Sequence, residues 1–261
     1  MKRILLISLL LLAVICTVSA DRRRLLGVRN VASAAAPSPS LWIVATNVSP
    51  IASNGGNVTN LTDISGNGHT FVATVGAYPS YNTNGQNGLP TIQFGTGTIL
   101  TNFSFGSTLA GSDVAFTVVA VLKRTVSAQT YFQLGSTTDA DTSHAMANDG
   151  AAYRCWRRDD AGTIADVTGG TIDTSYHIIT TVFSGTTVSQ YDKSTAIFSA
   201  QAQDVGACTF NAAVIGGRML GGTLSTDWAS GFISEIKVWN SALSSGDRAT
   251  EVSAMASKYG L

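Results

Sequence analysis

From Leu41 onward, apolar and polar residues alternate in short runs. The clearest are Thr91-Ile92-Gln93-Phe94, Ala115–Leu122, Tyr176–Phe183, Thr187–Tyr191, Ala212–Ile215 and Gly231–Trp239. Period-two alternation over such lengths predicts β-strands with one face toward a core. Between the runs sit Ser53-Asn54-Gly55-Gly56, Asn84-Gly85-Gln86-Asn87-Gly88 and Gly216-Gly217, residue types that make turns. No fixed-period repeat is visible, so a propeller or solenoid is not expected. The pattern predicts an all-β, two-sheet antiparallel sandwich of the jelly-roll kind. One segment has helical spacing instead: Val252, Met255, Ala256 and Tyr259 share a face. Ser244-Ser245-Gly246-Asp247 supplies an N-cap pattern, and Gly260 a stop. A short C-terminal helix is therefore expected, packed over one end of the sandwich.

The N-terminus reads differently. Lys2 and Arg3 precede a run from Ile4 to Cys16 that is apolar apart from Ser8, and Thr17-Val18-Ser19-Ala20 offers small residues for cleavage. This is the layout of a secretory signal peptide over residues 1–20. The run falls short of the ~20 residues needed to span a bilayer. Ile15 before Cys16 fits poorly with a lipid-anchor site. Residues 21–40 begin with Arg22-Arg23-Arg24 and end in an Ala/Pro/Ser-rich stretch, a composition that buries too little to order itself. The Arg run reads equally as a processing site, a sorting signal or a basic linker. Residues 41–261 then form one domain, a length that suits a single large sandwich.

Composition narrows the partners. Without Lys2 and Arg3 the chain keeps 14 basic and 16 acidic side chains, a net charge near −2. That balance argues against nucleic acid as the main partner. No later segment is long and apolar enough for a membrane span. Cys155 and Cys208 survive signal cleavage, and in an oxidising compartment they form either a disulfide or two buried thiols.

Several stretches carry a family likeness. Asp63-Ile64-Ser65-Gly66-Asn67-Gly68-His69 resembles a turn near the start of laminin-G-like jelly rolls. Leu41-Trp42, Gly88–Phe94 and Phe232–Ser244 are similar to their opening strand, first long strand and final strand with its following turn. The likeness to the laminin-G/concanavalin-A-like superfamily spans roughly residues 41–261. It implies a two-sheet sandwich used by lectins, glucanases, pentraxins and adhesion domains, without implying one activity. In some relatives a loop carboxylate joins backbone carbonyls around calcium. Asp63 is the matching candidate, and Asp139 and Asp141 in another polar loop offer a second, against the plainer reading of a tight turn and solvated carboxylates.

Catalysis finds little support in the residues. Glycoside cleavage normally uses two carboxylates flanking the bond, which the family's glucanases carry as Glu-x-Asp-x-x-Glu on one strand. This chain has only Glu235 and Glu251, in separate elements. His69, His144 and His177 lack metal-ligand spacing, and no Gly-x-Ser-x-Gly is present. For binding, Tyr153–Asp160 is the conspicuous stretch. In a strand, Arg154, Trp156 and Arg158 share one face and Tyr153, Cys155 and Arg157 the other. An exposed Trp156 between cations would stack on a sugar, whereas a core Trp156 would send its arginines outward. Trp228 is a second rim candidate. Asn57, Asn60 and Asn102 head N-glycosylation triplets, with Asn47 disfavoured by Pro50. The expectation is a secreted, non-catalytic module for glycan or an extracellular protein. A glycan-active enzyme with an unrecognised site and a purely structural matrix domain are the alternatives.

Overall fold

A computed structural model of the chain describes residues 36–50, 52–125, 129–224 and 229–261. Pro37–Leu261 forms one compact unit. Its strands begin with β1 (Leu41–Val44), β2 (Val48–Ser49), β3 (Asn60–Thr62), β4 (Thr70–Ala73), β5 (Ser80–Asn82), β6 (Thr91–Phe94) and β7 (Leu100–Asn102). Longer strands follow: β8 (Phe116–Arg124), β9 (Gln129–Gly135), β10 (Ser143–Asp149), β11 (Ala152–Arg158), β12 (Ile164–Gly169) and β13 (Tyr176–Ser184). Then come β14 (Thr187–Asp192), β15 (Thr195–Ala202), β16 (Ala212–Ile215), β17 (Met219–Leu220), β18 (Thr223–Leu224) and β19 (Gly231–Trp239). Helix α1 (Ser245–Tyr259) closes the chain.

The strands form two large antiparallel sheets. The first runs β15-β14-β13-β8-β19-β6-β5, with β1 also paired to β19. The second runs β12-β11-β10-β9-β16-β7-β4-β3-β2. The predicted all-β sandwich with a C-terminal helix is what the chain adopts. Alternation assigns the faces: Phe116, Val118, Ala120 and Leu122 of β8 enter the central core with Phe132, Leu134 and Met146 of the second sheet. At ~25 cal/mol per Å², burying side chains of this size is the main force holding the sheets together.

Helix α1 sits elsewhere than expected. Val252, Met255 and Tyr259 pack on Val119, Val121, Ile178 and Trp239, so the helix covers the outer face of the first sheet rather than an end. The reason is visible in β8, where Phe116 to Leu122 are all buried: its outward residues are apolar too and need a cover. The caps match the sequence pattern. Ser244 Oγ accepts from the Asp247 amide at 3.2 Å, and Gly260 ends the helix at φ 65°.

Both glutamates serve this junction. Glu235, 2% exposed, accepts from Trp42 Nε1 at 2.7 Å, Lys258 Nζ at 2.6 Å and Tyr259 OH at 2.9 Å. Glu251 accepts from Lys237 at 2.7 Å. The end of the expected linker also joins the sandwich: Ser40 N donates to Val238 O at 2.7 Å and Trp239 Nε1 to Pro37 O at 2.8 Å. No helix among the described residues is long and apolar enough to cross a membrane.

Candidate functional site

The strand β11 points Arg154, Trp156 and Arg158 to the outer face of the second sheet, but Trp156 is not presented to a ligand. It is 3% exposed, packed with Ala145 and Ala147, and its Nε1 donates to Ser143 Oγ at 3.2 Å. The guanidinium carbons of Arg154 and Arg218 lie 5.0 and 5.4 Å from its ring centroid. Arg154, one of the two cations expected to flank an open ring, therefore covers it instead, together with Arg218. Arg154 is paired with Asp166, and Arg158 with Asp141. Trp228 lies outside the described residues.

The metal candidates are engaged as turn makers. Asp63 accepts from the backbone amides of Trp42 and Ser65, both at 2.8 Å, and from Ser65 Oγ at 2.6 Å. Asp139 accepts from the amides of Asp141 and Thr142, while Asp141 serves Arg158. Among the described residues no three His, Cys, Asp or Glu side chains gather as a metal set. The disulfide alternative is corrected: Cys155 and Cys208 are free and buried. Cys155 faces Gln203 Nε2, while Cys208 Sγ lies 3.4 Å from His144 Nε2, so each thiol has its own neighbours. Burial pushes both thiols up, Cys208 to about 12. Asn102 is corrected as well. Its side chain is buried and donates to Thr70 O at 2.8 Å, closed to a glycan, whereas Asn57 is exposed and Asn60 half-buried.

A different place has the makings of a site. Where β12 of the second sheet contacts β15 of the first, a cleft of about 510 Å³ opens. Its walls carry the hydroxyls of Thr171, Ser175, Ser194 and Thr195, and Tyr153, His177 and Asp192 line it too. Parity brings these last three together. His177 shares the inner face of β13 with Ile179, whose partner across the ladder is Asp192, and Tyr153 is on the inner face of β11. The mouth of the core is thus polar where its interior is aliphatic and aromatic. Gly170, at φ 59°, lets the loop squeeze past: a Cβ there would meet Ile197 Cγ2 at 2.9 Å.

The three side chains form a network. His177 Nδ1 is 2.7 Å from Asp192 Oδ2, which also accepts from Tyr153 OH at 2.6 Å. His177 Nε2 is 3.0 Å from Asp173 Oδ1 in the loop before β13. Burial alone would lower the pKa of His177. Hydrogen bonds and charge from Asp192 and Asp173 outweigh it and hold the pKa above the ordinary value. Burial would raise Asp192, but the bonds from His177 and Tyr153 win and hold it low. Asp173, bonded by the hydroxyl and amide of Ser175, falls to about 2. Tyr153 is raised by burial and by Asp192.

Ser175 Oγ is 3.4 Å from His177 Nε2, so Ser175, His177 and Asp192 have the outline of a hydrolase triad. The outline fails chemically. Ser175 Oγ donates to Asp173 Oδ1, and Asp173 also occupies Nε2, leaving no ring nitrogen to take the serine proton. Along the chain His177 is one of three scattered histidines without ligand spacing. Its core parity with Ile179 and Phe183 was the one local signal of a polar group aimed between the sheets.

No family model matches the chain, and no curated protein matches it. Solved structures do resemble it. The botulinum neurotoxin serotype G binding domain aligns with TM-score 0.59 and 12% identity over 84% of this chain and 51% of that one. The Ruminococcus gnavus IT-sialidase CBM40 bound to α2,3 sialyllactose aligns with TM-score 0.47 and 13% identity, over 56% and 84%. The NanB sialidase of Streptococcus pneumoniae aligns with TM-score 0.45 and 18% identity, over 52% of this chain and 23% of that one. The chain spans about half of the toxin domain and a quarter of the sialidase. At these identities the first likeness shows a shared fold.

Proposed function

We propose that this chain is a secreted, non-catalytic binding module of the laminin-G/concanavalin-A-like kind that takes carbohydrate in the cleft beside Tyr153, His177 and Asp192. The observation that carries the reading is the cleft itself. Its volume suits a small oligosaccharide, and the hydroxyl-bearing side chains of Thr171, Ser175, Tyr176, Ser194 and Thr195 line it beside His177 and the carboxylate of Asp192. Hydroxyls that can both donate and accept, set beside a carboxylate, are the groups that pair with sugar hydroxyls. The two ring nitrogens of His177 are taken by carboxylates, which favours binding over acid–base chemistry there. Secretion is supported by the signal pattern of residues 1–20. The toxin domain that shares the fold is itself a binding domain, in keeping with this use of the sandwich.

The test is a glycan array followed by calorimetry on whichever glycan binds. Thr171→Trp fills the cleft from an exposed position while leaving every residue of the His177 network in place. It is expected to weaken binding at least about tenfold, about 1.4 kcal/mol, while leaving the melting curve unchanged. An empty array, or unchanged affinity in a folded T171W, overturns the reading.

A further inference from the structure

The two walls of the cleft are joined through one imidazole. On one side is the loop after β12, whose root is anchored independently. Ile172 is buried, its N–H donates to Ala151 O at 2.6 Å, and Arg124 Nε donates to Ile172 O at 2.7 Å. Beyond that root the tip, residues 173–175, is exposed. The Asp173 carboxylate accepts from the amide and hydroxyl of Ser175 and reaches the sandwich through His177 Nε2, while the Asp173 carbonyl accepts from Arg124 Nε at 3.2 Å. On the other side Asp192 ends β14 and leads into the Lys193-Ser194 turn, which with Thr195 forms the opposite wall.

A neutral imidazole has one N–H donor and one lone pair; only the imidazolium donates from both nitrogens. With a carboxylate oxygen at 2.7 Å from Nδ1 and another at 3.0 Å from Nε2, the geometry is that of the imidazolium. Losing the proton turns one of these contacts into a lone pair facing a carboxylate.

We propose that His177 is a proton-operated latch on the cleft: protonated, it ties the 173–175 tip to the end of β14, and deprotonated it releases the tip. Asp192 is the arm expected to keep its contact, because Tyr153 OH also holds it and β14 is paired on both sides. Asp173, on the exposed tip, is the arm that lets go. The charged and ionisable groups around the ring are Asp173 in the loop, Asp192 and Lys193 at the β14–β15 turn, Tyr153 on β11 and Arg124 on β8. Arg124 bonds the backbone carbonyls of Ile172 and Asp173 rather than the carboxylate, so the chain up to the Asp173 carbonyl stays fixed while the Asp173 side chain, Thr174 and Ser175 move.

The direction follows from the charges. His177 has a raised pKa in the folded chain, so its contribution is complete below the ordinary histidine value of 6.5 and is lost as pH rises through the raised one. Asp173 and Asp192 are held low, so both remain ionised through mild acid. The latch is therefore closed in mild acid and opens toward alkaline pH. Its consequence for ligand rests on the cleft being the glycan site: affinity there falls as the tip loosens.

Amide hydrogen exchange of the full chain from about pH 5.5 to about pH 9, corrected for intrinsic rates, reads the tip directly. Protection across residues 173–177 is expected to drop about tenfold with the titration of the His177 ring followed by NMR. His177→Gln is expected to abolish that dependence. Asp173→Asn, at an exposed position, does the same should H177Q fail to fold. Exchange that ignores the ring titration, or that keeps its dependence in D173N, overturns the latch. Lactose and chitotriose titrations at both ends of the range separate the two readings. A tip that titrates normally while neither probe binds and the glycan array is empty sinks the cleft as a glycan site and leaves the latch standing. A probe bound equally tightly at both ends while the tip opens sinks the link between latch and ligand.

Discussion

The strand β11 carries both the place where a ligand site was expected and the place where one is built. On its outer face, Trp156 has the residue type of a sugar-stacking platform, yet two guanidiniums and Ala145 and Ala147 close over it. On its inner face, Tyr153 looks like ordinary core, yet its hydroxyl reaches Asp192 at the wall of an open cleft. Further along the same inner face, Arg157 is wholly enclosed. It donates to Asp113 and to the carbonyls of Gln203 and Val114, each at 3.2 Å, and more closely to that of Gly185. Residue type sets what a side chain can do; what lies over it sets whether a partner can reach it. An enclosed cluster such as that around Arg157, whose guanidinium bonds only groups of the chain itself, holds the fold, and one that opens on a cleft is available for binding.

Three substitutions on this strand test that contrast. Arg157→Ala should be the most damaging, because it empties the site of a wholly buried side chain and takes a donor from Asp113 and from three carbonyls, that of Gln203 fully buried. A loss of about 3–5 kcal/mol is expected in urea unfolding at unchanged m-value. Trp156→Ala should cost about 3 kcal/mol, the low end for a buried Trp, since its pocket is partly guanidinium. If the outer face is closed as described, any glycan affinity measured on the folded fraction is untouched by W156A. A loss of affinity would reopen that face as a site. Arg154→Ala removes a half-exposed pair with Asp166 and a cation over the ring, for an expected cost below about 1 kcal/mol. A larger loss would mean that Arg154 seals Trp156 more tightly than its exposure suggests.

Much of the fold is legible in local pattern. Alternation places Arg154, Trp156 and Arg158 opposite Tyr153, Cys155 and Arg157, and the structure has them so. Val252, Met255 and Tyr259 face inward from a helix capped at Ser244 and Gly260, as their spacing requires. The candidate site was far less legible. His177 and Asp192 meet because β13 and β14 form a hairpin with Ile179 opposite Asp192, and Tyr153 joins them from the other sheet. Spacing along the chain does not encode that meeting.

The amino-acid sequence by itself marked strands such as β8, β13 and β19, the two faces of β11 and the two ends of the helix, because backbone geometry repeats every two or 3.6 residues and neighbours feel it directly. Tertiary structure alone decided which faces are covered. It laid α1 on the first sheet, folded Arg218 over Trp156, kept Cys155 and Cys208 with separate partners, and set one histidine between two aspartates. Those outcomes depend on contacts between residues far apart in the chain, where the competing arrangements share the same local pattern and differ only in packing and hydrogen bonds.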